Sequence, residues 1–211
     1  MKGNPGLSEV LQLRISLRGI SPEIWRRVLV LSSSTLYDLH HTIQIAMGWG
    51  DFHLNQFLIH GKSYGVYHDG GMSFSDNPKK VRLSDFGFRL KERFVYEYDF
   101  GDDWEHDIRI EKKLPLDPEK TYPICTEGKR GCPPEDCGGS WRFMELQQHF
   151  SPYYIANRLM EIAKDKEGAE DDYWEELQEL EEWSEMDAFD RKEVNLQLKE
   201  YTLSQEKEKG S

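Results

Sequence analysis

Four carboxylates and a histidine lie within eight residues of this chain, in the run Tyr98-Asp99-Phe100-Gly101-Asp102-Asp103-Trp104-Glu105-His106. Apolar and polar residues alternate on both sides of this run, so it predicts the tip of a β-hairpin. Hard cations such as Mg²⁺ and Ca²⁺ bind oxygen ligands, and the run offers four side chains of that kind: Asp99, Asp102, Asp103 and Glu105. Asp and Gly are also ordinary turn residues, so turn chemistry alone explains the same pattern.

A second polar run, Cys132-Pro133-Pro134-Glu135-Asp136-Cys137-Gly138-Gly139, has the composition of a stiff, turn-forming loop. Its Glu135 and Asp136 could complete the shell of a divalent metal ion. Because both runs are rich in polar groups that need partners, we expect the 99–106 hairpin tip and the 132–139 loop to lie within hydrogen-bond reach. The candidate site therefore consists of seven residues: Asp99, Asp102, Asp103, Glu105, His106, Glu135 and Asp136.

The three cysteines suggest a second kind of metal site. Cys125, Cys132 and Cys137 are separated by six and four residues, which approaches the spacing of zinc ligands without matching it. His106 or His149 could be the fourth ligand of a tetrahedral zinc site. The alternative is that these are reduced, unreactive thiols in a loop stiffened by proline and glycine.

The histidines allow more than one interpretation. Alternation along the returning strand places His106 on the aromatic core face, where a hydrogen-bonded core histidine is more common than a ligand or a base. His40 lies on the apolar stripe of a predicted helix, and His53 follows shortly after it. A site that gathers His40, His53 and the carboxylate hairpin is conceivable, although spacing does not demonstrate it.

The charge of the chain is concentrated in one segment. The 211 residues carry a net charge of -12, and residues 165–187 contain twelve acidic groups against one lysine, which leaves -1 for the rest. Phosphate binding needs clustered Lys and Arg, so nucleic acid is not expected to bind through this segment. A basic protein partner or a solvated helix face accounts better for this concentration of acidic residues.

The chain contains no apolar run of the roughly 18 residues that a membrane helix needs. Residues 1–8 lack the apolar stretch of a signal peptide. An odd number of cysteines does not suggest a secreted disulfide framework. These features predict a cytoplasmic protein that does not enter a membrane.

Hydrophobic periodicity predicts strands first, with one inserted helix, and helices afterwards. This order indicates an α+β fold with an antiparallel or mixed sheet, one early helix and a helical, acidic C-terminal part. The predicted strands are 10–18, 24–31, 53–60, 93–100 and 104–111, and the predicted helices are 35–47, 140–150, 152–164, part of 170–184, and 190–201. Residues 65–80 and most of 113–139 are predicted loops.

The same patterns predict domain limits and a hairpin core. We expect a disordered N-terminus over 1–8, a single domain over 9–202 and a disordered tail over 203–211. The hairpin residues expected to be buried are Tyr98, Phe100, Trp104 and Ile108. The apolar residues of the acidic segment recur at steps of three and four, so we expect an amphipathic helix that docks by that edge: Tyr173, Trp174, Leu177, Leu180 and Trp183.

The combination of motifs resembles the plasmid pRiA4b ORF-3-like family. Besides the two polar runs, the matching residues are Ser21-Pro22-Glu23-Ile24-Trp25-Arg26-Arg27, Leu39-His40, Met47-Gly48-Trp49, His53-Leu54, Phe189-Asp190 and Val194-Asn195. The resemblance spans about residues 10–200. It implies a compact α+β domain, found in bacteria and archaea and associated with plasmids and other mobile elements, with no established activity.

Three functions remain open from the sequence. The first is a non-enzymatic binding or adaptor domain that acts on a protein partner, which the nearly neutral body and the acidic segment favour. The second is a metal-dependent hydrolase or nuclease-like enzyme that uses a divalent metal at the two polar runs. The third is a protein that takes part in nucleic-acid transactions of mobile elements.

Overall fold

The computed structural model describes residues 9–65, 77–165 and 173–209. Its strands are β1 (Glu9–Leu17), β2 (Trp25–Leu31), β3 (Asn55–Ile59), β4 (Lys62–Gly65), β5 (Arg93–Tyr98), β6 (Trp104–Pro115) and β7 (Ile124–Lys129). Its helices are α1 (Leu36–Met47), α2 (Gly139–His149), α3 (Pro152–Lys164), α4 (Trp174–Glu185) and α5 (Arg191–Lys209), with a short 3-10 helix at Leu83–Phe86.

The described strands form one sheet in the order β4-β3-β5-β6-β1-β2-β7. Every pairing in it is antiparallel. Of the five α-helices in the described residues, four follow β7, and α1 and the short 3-10 helix lie between strands. The predicted α+β class with an antiparallel sheet is therefore confirmed.

The core lies on one face of this sheet. Leu13 and Ile15 of β1 are fully buried, whereas Arg14 between them stays partly exposed, because successive side chains of a strand point to opposite faces. Helix α1 packs on the buried face, where the Gln44 side-chain amide donates a hydrogen bond to the Tyr96 hydroxyl of β5 over 2.9 Å.

Local sequence signals set the limits of α1. The Thr35 hydroxyl accepts from the Asp38 backbone N–H, and the Asp38 carboxylate accepts from the Thr35 N–H, so the two residues form a capping box. Gly48 follows the helix with φ +91°, a conformation that glycine adopts without a steric cost. The helix predicted over 35–47 is confirmed.

The β5–β6 hairpin has the predicted core with one exception. Tyr98, Trp104 and Ile108 are buried. Phe100 is only half-buried, so the expectation for this residue is wrong. The physical reason is that β5 ends at Tyr98, and Asp99 turns the chain before Phe100 can continue the alternation.

The acidic segment docks through the second half of α4. Leu180 is buried with Phe150 and Ile155, and the Trp183 ring stacks on the Phe150 ring with centroids 5.0 Å apart. Docking by this edge is confirmed for these two α4 residues. It is wrong for Trp174, which is 58% exposed at the first position of the helix.

Helix α5 covers the β7 edge of the sheet. The Asn195 side chain accepts from the Cys125 backbone N–H and donates to the Cys125 carbonyl, each over 2.8 Å. Leu198, one turn further on, is fully buried. The helix ends at Lys209, beyond the domain limit predicted at 202.

Two strands were not predicted from the sequence. β7 lies within the stretch 113–139 that was predicted as mostly loop, and β4 follows the Gly61 turn within a stretch given no strand. Both are short edge strands. The last four residues of β7 are Thr-Glu-Gly-Lys, which do not alternate between apolar and polar side chains.

The predicted disordered segment 1–8 and most of the predicted loop 65–80 lie outside the described residues. None of the described helices combines the length and the apolar character needed to cross a membrane.

Candidate metal centre

The hairpin tip is held by local hydrogen bonds of Asp99. Its backbone adopts φ +56°, which Asp tolerates better than most residues. Its Oδ1 accepts from the backbone N–H of Gly101 over 3.0 Å, and its own N–H donates to the Leu54 carbonyl over 2.9 Å. Asp99 is thereby buried and fixed, with its second carboxylate oxygen, Oδ2, directed away from the turn.

The 132–139 loop lies against this tip. The Gly138 N–H donates to Asp102 Oδ2 over 3.0 Å, and the Tyr98 hydroxyl donates to the Glu135 carboxylate. Gly139 comes so close that a Cβ there would lie 2.5 Å from the Asp102 carbonyl oxygen. The predicted contact between the two polar runs is confirmed.

A third segment, the connection from α1 to β3, completes the site. The Trp49 indole N–H donates to the Pro133 carbonyl over 2.9 Å, and the Gly50 N–H donates to Glu135 Oε2 over 2.8 Å. The Phe52 N–H donates to the Tyr98 hydroxyl over 3.0 Å. These bonds bring His53 to the hairpin and the loop.

One imidazole and two carboxylates converge where the three segments meet. His53 Nε2 lies 3.3 Å from Asp136 Oδ1 and 3.8 Å from Asp99 Oδ2. All three ligand atoms lie within 4.8 Å of one another, and His53 Nε2 is buried with no hydrogen-bond partner among the described atoms. Ligand atoms bonded to one ion over about 2.1 Å are about 3.0–3.4 Å apart at octahedral and tetrahedral angles, so small shifts suffice to bind a cation.

The centre is closed on one side and open on the other. The Asp99 side chain is only 10% exposed, whereas that of Asp136 is 76% exposed. Burial, together with the hydrogen bond to Glu135, raises the pKa of Tyr98, so this hydroxyl stays protonated beside the centre.

The structure brings only two of the seven candidate residues to the centre. Asp99 and Asp136 belong to the centre, while Asp102 and Glu135 join the segments through the hydrogen bonds given above. Asp103 is exposed at the tip. Glu105 forms an ion pair with Arg18 over 2.7 Å, and Arg18 forms a second ion pair with Asp107.

His106 is not part of the centre. It is fully buried, and its Nδ1 donates to the Tyr96 carbonyl over 3.2 Å, while its Nε2 has no partner among the described atoms. Burial lowers the pKa of His106 to about 4. The interpretation of this residue as a core histidine therefore fits better than its place in the candidate set.

The structure does not gather the cysteines into a zinc site. Within the described ranges, neither group of potential metal ligands contains a thiol. Cys132 Sγ lies 3.1 Å from Met47 Sδ, and Cys125 Sγ points to the Glu127 carbonyl. Burial raises the pKa of Cys125, Cys132 and Cys137 to about 11, so all three stay protonated thiols.

The comparisons with known proteins agree with this architecture. A sequence profile of the family described as "Plasmid pRiA4b ORF-3-like protein" matches residues 9–198, so the chain belongs to this family of α+β proteins. The chain is similar to the uncharacterized protein y4hQ of Sinorhizobium fredii (strain NBRC 101917 / NGR234). The two are 35% identical over 144 residues, which cover 66% of this chain and 72% of that protein.

It is also similar to a solved structure, the protein of unknown function MM3350 from Methanosarcina mazei Go1. The identity is 37%, the TM-score is 0.67, and the match covers 89% of this chain and 98% of the other. Neither relative carries an assigned function in its name, so the chemistry of the centre must be argued from its own residues.

Proposed function

We propose that the protein is a metal-dependent hydrolase whose divalent cation is held by His53, Asp99 and Asp136. The observation that carries the proposal is the convergence of one imidazole and two carboxylates from three separate segments. One nitrogen and two oxygen ligands suit Zn²⁺ or Mn²⁺. Three protein ligands leave positions for water and substrate, as in catalytic metal sites.

The surroundings of the centre favour hydrolysis. A divalent cation lowers the pKa of a bound water and thereby supplies a nucleophile near neutral pH. Glu135, next to Asp136 in the chain, is a carboxylate that can accept the proton of this water. Phe52 is 82% exposed beside His53, and its ring offers an apolar contact to a substrate on the open side.

The test is metal binding and turnover on the full chain. Protein treated with a chelator and dialysed is given Zn²⁺ or Mn²⁺, and bound metal and hydrolysis of p-nitrophenyl phosphate, bis-p-nitrophenyl phosphate and p-nitrophenyl acetate are measured. We expect metal-dependent hydrolysis that is lost in His53→Ala and Asp136→Asn. His60→Ala is the matched control, because His60 is half exposed and bonded to Glu92. Absence of metal-dependent turnover in the wild type, or equal turnover in His53→Ala, contradicts the proposal.

A second candidate function is an adaptor that binds a basic protein segment. A groove of about 590 Å³ lies between α2, α3 and the end of α4, and its lining includes Met144, Phe150, Ile155 and Leu159. Helix α4 beside it carries six glutamates. Apolar and acidic surfaces side by side favour an amphipathic segment rich in Lys or Arg. Phosphate backbones are repelled there, so the nucleic-acid alternative gains no support from this surface.

A labelled 18-residue peptide of Leu and Lys in helical spacing tests the adaptor function, with a Leu and Glu peptide as its counterpart. We expect fluorescence anisotropy to report binding of the Lys peptide alone, weaker at higher salt. Ala156→Trp fills the groove and should abolish binding, whereas Leu203→Trp on α5 should not. Equal binding of both peptides, or unchanged binding by Ala156→Trp, argues against it.

A further inference from the structure

A second group of potential ligands lies on the other side of the α1–β3 connection. His40 and His41 are neighbours on α1, and Asp51 follows three residues after Gly48. His40 Nε2 lies 2.8 Å from Asp51 Oδ1, and His41 Nδ1 lies 3.6 Å from Asp51 Oδ2. The three ligand atoms lie within 4.8 Å of one another. We propose that His40, His41 and Asp51 bind a second divalent transition-metal ion.

His41 is prepared to act as a ligand. Burial, and next the neighbouring His40, lower the pKa of His41, so its ring is neutral at pH 7 and keeps a lone pair. Its 3.6 Å distance to Asp51 is too long for a hydrogen bond. With bonds of about 2.1 Å to one ion, this separation corresponds to an angle of about 120°, which is close to tetrahedral.

His40 is oriented by a series of buried hydrogen bonds of the kind that supports metal-binding histidines. Its Nδ1 lies 2.7 Å from the Tyr96 hydroxyl, and the Gln44 amide nitrogen donates to the same hydroxyl over 2.9 Å. Tyr96 is fully buried. Partners on the second ring nitrogen fix the orientation and the tautomer of a ligating histidine.

The hydrogen bonds that join Gln44, Tyr96 and His40 can be arranged in two ways, depending on the orientation of the Gln44 side-chain amide. In the first, the Tyr96 hydroxyl donates to His40 Nδ1, and the Nε2–H donates to Asp51. The Gln44 side-chain oxygen is then buried without a partner. In the second, the Gln44 amide is turned by 180° and its oxygen accepts from Tyr96. Tyr96 then accepts from His40 Nδ1–H.

The second arrangement pairs the Gln44 oxygen but moves the Gln44 amide nitrogen to the buried position that has no partner among the described atoms, and it leaves a lone pair on His40 Nε2 facing the Asp51 carboxylate. Two acceptors 2.8 Å apart repel each other, and a cation between them removes the repulsion. A metal ion bound to His40 Nε2 and Asp51 therefore favours the second arrangement, in which His40 Nδ1 carries the proton and donates it to Tyr96. Two imidazoles and one carboxylate select Zn²⁺, Co²⁺ or Ni²⁺ over Mg²⁺ and Ca²⁺.

The proposal is tested by titrating metal-free full-length protein with CoCl₂, with the visible absorption of bound Co²⁺ and elemental analysis as readouts. We expect two ions per wild-type chain and one in His41→Ala or Asp51→Asn. His53→Ala should keep the ion at His41, and His60→Ala should bind as the wild type does. Circular dichroism verifies the fold of each variant. Tyr96→Phe, which removes the partner of His40 Nδ1, should weaken the His41-dependent ion by about 10–100-fold, as loss of an outer-shell partner does.

The outcomes separate this proposal from the proposed hydrolase. Binding that is unchanged in both His41→Ala and Asp51→Asn overturns the second site. A single ion that only His53→Ala removes also overturns it and leaves the hydrolase proposal intact. A single ion that His41→Ala removes and His53→Ala retains supports the second site and contradicts the hydrolase.

Discussion

Protonation of the buried His106 should make the fold sensitive to mild acid. Burial lowers the pKa of His106 from 6.5 to about 4 in the folded protein. Between these two values the unfolded chain binds the proton and the folded chain does not, so the free energy of unfolding falls as the pH is lowered. This contribution to stability is complete above pH 6.5 and is lost as the pH falls towards 4.

The magnitude follows from the two pKa values. Their difference corresponds to about 3 kcal/mol in full, and about 2 kcal/mol of it is lost between pH 7 and pH 5. The ion-paired carboxylates are common to the two proteins compared below, so their contributions cancel. Asp107, whose pKa the Arg18 hydrogen bond lowers, gives up its contribution only below its unfolded value of 3.8.

The assay is urea unfolding of metal-free protein at pH 7, 6 and 5, for the wild type and for His106→Gln. The glutamine amide can keep the hydrogen bond to the Tyr96 carbonyl and has no titrating proton. All other ionisable groups are common to both proteins, so their effect cancels in the comparison. We expect the wild type to lose about 2 kcal/mol more than the variant over this range. Equal losses, or an NMR titration of His106 near pH 6.5, would refute the reasoning.

Three further predictions concern packing, docking and charge. Trp104→Ala should reduce the free energy of unfolding by about 3–5 kcal/mol in urea, because the ring is 99% buried, and a loss below 1 kcal/mol would contradict its core position. Asn195→Ala should cost about 1–3 kcal/mol, because it leaves the Cys125 backbone groups without partners, whereas the exposed Leu203→Ala on α5 should cost far less. The melting temperature should rise from low to physiological salt, because salt screens the repulsion among the carboxylates of α4, and a fall would mean that these groups are mostly paired with Lys and Arg.

The elements that could be predicted from the sequence are those with a local signal. Alternation predicted β1 and the β5–β6 hairpin, and the helical spacing of apolar residues predicted α1, to which the structure adds the Thr35–Asp38 capping box. β7 carries no such signal, because its place depends on pairing with β2 and on the cover that α5 provides. Trp174 fitted the helical spacing, but the packing partners Phe150 and Ile155 reach only the later turns of α4.

In the candidate site, too, the features with a local sequence signal could be predicted, and those that depend on long-range contacts could not. The two polar runs indicated their own contact, because each supplied groups that needed partners. Glu105 was included by proximity in sequence, although alternation along β6 turns it to the sheet face where Arg18 lies. The sequence offered a site of His40, His53 and the carboxylate hairpin only as a possibility, and the structure brings His53 to Asp99 but His40 to Asp51. The place of His53 in the centre depends on long-range bonds to Glu135 and Tyr98 that no local pattern encodes.

The short connection after α1 is therefore the part of the chain on which both proposed metal sites depend. Gly48 ends the helix, Asp51 turns back towards α1 with φ +60°, and His53 turns towards the hairpin. The Gly50 N–H ties the middle of this connection to Glu135 over 2.8 Å. Because one short segment carries a ligand for each site, an ion at either site restricts the same backbone. The second ion then meets a connection that is already ordered, so its binding loses less conformational entropy.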